Sequence, residues 1–73
     1  MKIFTVENVA ELNILCVVVA ENESNALNLV DLALHELPLE AEEIGDTYHV
    51  EDIGIAHDTQ CERIVSFSIE PNE

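Results

Sequence analysis

The stretch "HVEDIGIAHDTQC", from His49 to Cys61, sets two imidazoles, three carboxylates and a thiol within thirteen residues. Side chains of these types bind metals, and the mixture of imidazole and carboxylate would favour a divalent transition metal over calcium. The spacing argues against a site. It contains no paired C-x-x-C or H-E-x-x-H, and no run of oxygen ligands at alternate positions as in a calcium-binding loop. His49, Glu51, Asp52, His57 and Asp58 therefore read as polar surface residues, and no metal or other cofactor is expected.

Nucleophilic catalysis fares no better. Cys61 has His57 nearby in sequence, but Asp58 and Glu62 flank it, and a reactive thiolate needs an electropositive setting. The chain has only two glycines, Gly45 and Gly54, so it holds no glycine-rich phosphate loop. Carboxylate pairs suited to glycoside hydrolysis exist by number alone, and so short a chain offers little wall for a substrate cleft. The expectation is a protein that is not an enzyme.

Charge is the dominant chemical feature. Sixteen acidic residues stand against two basic ones, a formal net charge of −14 over 73 residues. Nucleic acids and anionic membranes are themselves polyanions, so direct binding to either is disfavoured and a basic partner is favoured. Between Glu36 and Glu62 lie nine carboxylates, Glu36, Glu40, Glu42, Glu43, Asp46, Glu51, Asp52, Asp58 and Glu62, with no lysine or arginine among them. A domain of this mass has a surface of roughly 4,500 Å², hence about one net charge per 320 Å². Duplex DNA carries about one per 110 Å². Imitation of a nucleic acid thus requires the carboxylates to gather on one side, or a dimer to line up two such faces. These nine residues are the expected partner-binding set.

The elements that would position them can be read from periodicity. Lys2 to Glu7 has the β-branched and aromatic character of a strand. Leu12 to Ala20 places Leu12, Ile14, Cys16 and Val18 on one face and Leu15, Val17 and Val19 on the other; a strand apolar on both faces is central in its sheet. Asn22 or Ser24 then caps an amphipathic helix of about fourteen residues, with Ala26, Leu29, Val30, Ala33, Leu34 and Leu37 on its apolar side and Asn28, Asp31 and His35 opposite. Pro38 ends it. An acidic connector from Leu39 to Asp46 follows, then a third strand bulged or split near Glu51 and Asp52. In the fourth, "RIVSFSIE", alternation turns Val65, Phe67 and Ile69 inward and Ser66, Ser68 and Glu70 outward.

The expected fold is a single α+β domain over residues 1–73: an antiparallel sheet of about four strands, ordered ββαββ along the chain, with one helix on one face. One helix leaves the second face open. Leu15, Val17 and Val19 would then form a homodimer interface, unless the acidic connector folds over them. The composition is 48% hydrophobic, typical of a globular chain, and at this size folding buries only about 60% of the unfolded surface.

Localisation follows from the same residues. Leu12 to Ala20 is far short of the roughly 20 apolar residues that span a bilayer. The N-terminal charge order is wrong for a secretory signal, and two cysteines make no disulfide framework. The expectation is a cytoplasmic protein.

The segment "VVVAENESNALNLVDLAL", a buried strand passing through a polar cap into an amphipathic helix, resembles a pattern in small phage and mobile-element proteins. With the length and acidity, the chain resembles the anti-CRISPR and anti-restriction inhibitors. That resemblance implies an inhibitor that mimics nucleic acid and binds the basic surface of a nucleic-acid-binding defence complex, in the host cytoplasm if phage-encoded. It carries over no individual functional residue. The alternatives are a small acidic structural subunit whose charge maintains solubility, and a divalent-metal-binding protein.

Overall fold

The computed structural model describes residues 1–57 and 61–72. The run "LNILCVVVA" forms β2 (Leu12–Ala20), and its two-sided apolar pattern places it inside a four-stranded antiparallel sheet of order β3-β1-β2-β4. β1 (Lys2–Val9) lies beside it, with β3 (Tyr48–Ile55) and β4 (Arg63–Pro71) at the edges. The fold is α+β with element order ββαββ.

The helix α1 (Glu23–His35) starts where the sequence offers a cap. Asn22 is extended, and its side-chain oxygen accepts a hydrogen bond of 2.8 Å from the Asn25 backbone N–H. This satisfies one of the donors that a first turn leaves open. The helix closes at Glu36, whose N–H donates to Ala33 O, two residues before Pro38. Ala26, Val30 and Leu34, spaced by four, are its buried stripe. They meet Phe4 and Val6 of β1 and Ile14, Cys16 and Val18 of β2 in one core. Full burial of each Val or Leu contributes about 1.5–3 kcal/mol.

The register fixes the faces. Val6 opposes Cys16 and Val50, and Cys16 opposes Phe67, so these side chains share the helix face. The other face carries Ile3, Thr5, Glu7 and Val9 of β1 and Asn13, Leu15, Val17 and Val19 of β2. Beside them stand His49 and Glu51 of β3 and Arg63, Ser66, Ser68 and Glu70 of β4.

Two edge irregularities depart from simple alternation. In β4 the register shifts opposite Val17 and Val18, so Ile64 pairs with Val18 and Val65 is the extra residue. Ile64 packs on the core, whereas Val65 is 51% exposed rather than inward. A bulge adds one residue on one strand and re-aims what precedes it. In β3 the shift falls opposite Ile3 and Phe4, leaving Ile53 as the extra residue just after Asp52. The strand is continuous, and the Asp52 carboxylate accepts a 3.2 Å bond from the Gly54 N–H at the bulge.

Candidate functional site

The acidic connector does not cover the open face. It runs under the helix side, where Leu39 and Ile44 pack against the core, and Asn8 anchors it. Asn8 is the one buried polar residue among those described. Its amide donates to Gly45 O (2.8 Å) and Thr47 O (3.3 Å), and its oxygen accepts from Gly45 N–H (2.7 Å). A Cβ on Gly45 would sit 2.9 Å from Val9 O and 3.4 Å from Asn8 Oδ1. Glycine permits that close approach. Within the connector, Ala41–Glu43 forms one 3₁₀ turn, and the Glu43 carboxylate accepts from the Glu40 N–H at 2.9 Å.

This anchoring gives the molecule a charged end. The β1–β2 turn, residues 10–11, lies at the end of the sheet where Val9 opposes Asn13, Tyr48 opposes Asn8 and Pro71 opposes Leu12. Gly45 sits against Val9 and Ala10 there, and the Asn72 N–H donates to Glu11 O (3.0 Å). Glu11, Glu40, Glu42, Glu43, Asp46 and Glu70 therefore lie toward one end, from three separate segments. Of these, Glu11, Glu40, Glu42, Asp46 and Glu70 are exposed and Glu43 is half-buried.

Both cations lie at the opposite end, since Lys2 opposes Ala20 and Ile55, and Arg63 opposes Val19. Seven residues of strand separate the Lys2 and Val9 rows, roughly 20 Å or more. The Debye length at physiological salt is about 8 Å. The cations leave the acidic end uncompensated. Among the described residues, the ion pairs are Lys2–Asp52 (3.4 Å) and the local His35–Asp31 contact (3.5 Å).

The remaining expected carboxylates lie elsewhere. Glu36 caps the helix C-terminus and lines a groove with Leu37, Ile64 and Phe67. Glu51 is exposed on the open face, while the neighbouring Asp52 points to the helix side and pairs with Lys2. Glu62 serves the fold: its carboxylate accepts bonds from the Glu21 N–H (3.0 Å) and the Asn25 amide (2.8 Å), which hold it below the usual carboxylate range. Asp58 lies outside the described residues.

Periodicity left two contributors out of the set. Glu11 and Glu70 join the acidic end only because the strand register sets the β1–β2 turn and the last residues of β4 at the same end of the sheet as the connector. Asp31, read as a solvated position, lines a cleft of about 330 Å³ with His35, Asp46, Ile44 and Tyr48. The Tyr48 hydroxyl donates to Asp31 Oδ1 at 3.3 Å. Burial first, and then the Asp31 carboxylate, raise the Tyr48 pKa above its usual value.

The His49–Cys61 stretch is divided by the fold. His49 and Glu51 occupy the open face and Asp52 the other, and His57 and Cys61 are exposed beyond the strand. Among the described residues, no three His, Cys, Asp or Glu side chains gather as metal ligands. Cys16 is buried, which pushes its thiol up to about 11; a neutral, inaccessible thiol is a poor nucleophile.

Of the three open-face residues expected to meet a partner, Leu15 is 41% exposed and Val17 half-buried. Val19, paired with Ile3 and Arg63 on the neighbouring strands, retains only 3% and offers almost no surface. Among the described residues no helix is long and apolar enough to cross a membrane. No protein-family model, curated protein or solved structure compared with the chain matches it.

Proposed function

We propose that the chain is a non-enzymatic interaction protein whose acidic end docks on the lysine- and arginine-rich surface of a nucleic-acid-binding protein and excludes the nucleic acid. Anti-CRISPR and anti-restriction inhibitors, which the sequence resembles, are the class of activity this implies. The observation that carries the reading is charge segregation. Six carboxylates share one end, and the two cations lie roughly 20 Å away.

The density argument points the same way. A surface of 4881 Å² with a net charge of −14 averages about one charge per 350 Å², some threefold sparser than duplex DNA. The acidic end holds six of the sixteen carboxylates and neither cation. Glu40, Glu42 and Asp46, exposed on a connector pinned by Asn8, present fixed anions much as a backbone presents phosphates. Charge kept only for solubility needs no such asymmetry. Steering by this field makes association fast and steeply dependent on salt.

The test begins with capture of partners from lysate on the immobilised protein at low salt, with identification by mass spectrometry. Recovery of basic nucleic-acid-binding proteins that are lost from a Glu40→Gln/Glu42→Gln/Asp46→Asn variant supports the reading. Equal recovery by the variant assigns the charge to solubility.

A further inference from the structure

We infer that the open face of the sheet is a second contact surface, and that its occupant is a basic amphipathic segment of the partner, laid across β1 and β2 as α1 is laid across the other side. The inference rests on the reading of a basic partner and deepens it by naming the segment that binds.

β2 is apolar on both faces, yet the described residues supply one α-helix, and the connector runs on that helix's side. The open face retains Leu15 (41% exposed), Val9 (49%) and the half-buried Ile3 and Val17. Three carboxylates frame this stripe, Glu7 beside Leu15, Glu51 beside Thr5 and Glu70 beside Asn13, against one cation, Arg63, beside Val19 at its far end. Ser66 and Ser68 on β4 are small and leave room along one side.

Charge selects the occupant. A second copy would bring another −14 and would set Glu7, Glu51 and Glu70 against their own kind, at a cost that grows as water is excluded. A segment with leucine-like side chains on one stripe and lysines flanking it meets both features. Sequential apolar anchors at helical spacing on an apolar surface are a recurrent mode of peptide recognition.

Two synthetic peptides of equal positive charge provide the probe: an amphipathic leucine–lysine helix, and a lysine peptide without leucines. Binding to the ¹⁵N-labelled protein is followed by NMR. The amphipathic peptide is expected to bind at least about tenfold tighter, the scale of one buried apolar anchor, and to shift the amides of Thr5, Glu7, Leu15, Val17 and Ser66. Leu15→Asn, which removes the apolar anchor without adding charge, abolishes that advantage and leaves the lysine peptide's affinity unchanged. Glu7→Gln/Glu51→Gln, which preserves side-chain size and leaves the acidic end intact, weakens the amphipathic peptide severalfold. Equal affinity of the two peptides, with shifts confined to Glu11, Glu40, Glu42 and Asp46, overturns this inference while sustaining the acidic-end reading. Failure of both peptides to bind overturns both. A dimer of the free protein that Leu15→Asn converts to monomer also overturns the inference, since the face then belongs to a second copy.

Discussion

Replacing Asn8 with alanine removes the pin that holds the acidic connector against the sheet. Three hydrogen bonds of 2.7, 2.8 and 3.3 Å go with it. Gly45 loses the partners of both its N–H and its C=O. An unsatisfied buried group costs about 1–3 kcal/mol; because Gly45 is only half-buried, water recovers part of that, and the expected loss is about 2–3 kcal/mol. A domain of this length has a total of about 4–11 kcal/mol, so the change is large. It corresponds to a fall in Tm of about 10–20 °C. Urea unfolding followed by circular dichroism measures it as a lower midpoint at unchanged slope. Hydrogen exchange at the Gly45 amide should accelerate beyond what the global loss explains, because the connector opens locally first. A loss below about 0.5 kcal/mol, the range of ordinary surface substitutions, with Gly45 exchange unchanged, would refute the pinning argument and with it the rigid placement of Glu40, Glu42 and Asp46.

Other residues carry independent predictions. Gly45→Ala drives a Cβ to within 2.9 Å of Val9 O, and calorimetry should register a destabilisation of about 1–3 kcal/mol, as for overpacking elsewhere. Toward an aromatic disulfide reagent at pH 8, the exposed Cys61 should react at once and the buried Cys16 only after denaturant is added; prompt reaction of two thiols would show an open core. Glu62 is held below the usual carboxylate range by the Glu21 N–H and the Asn25 amide, so its stabilising share is present above its unfolded pKa of about 4.3 and fades as pH falls through its lower folded value. Wild type should therefore exceed Glu62→Gln in unfolding midpoint at pH 7, and the gap should close on acidification; a gap that widens toward low pH would contradict the assignment.

Local pattern revealed those parts of the fold that local physics decides. The two-sided apolar run Leu12–Ala20 announces a central strand, and Asn22 followed by Ala26, Val30 and Leu34 announces a capped helix on one face. Pairing decides the rest. In "RIVSFSIE" alternation points Val65 inward, but the bulge opposite Val17 and Val18 substitutes Ile64, and a bulge depends on the partner strand and the twist. Asn8 looks like a loop residue until the connector, thirty-seven positions away, folds beneath it. The same long-range pairing reshapes the acidic set. It sets Glu11 and Glu70 at the connector's end of the sheet and gives Glu62 to the helix N-terminus, while strand alternation alone sends Glu51 and Asp52 to opposite faces.

The central claim concerns the acidic end acting where phosphates would bind. The most direct measurement uses a captured basic partner loaded with labelled nucleic acid, and follows displacement by the protein in fluorescence anisotropy from about 0.05 to 1 M salt, across which the Debye length shrinks severalfold. Wild type should displace the nucleic acid at low salt and lose that ability steeply as salt rises, and Glu40→Gln/Glu42→Gln/Asp46→Asn should require much higher concentrations while Glu21→Gln/Glu23→Gln, at the other end, behaves as wild type. Displacement that is indifferent to salt, or equal for the two variants, would contradict the account.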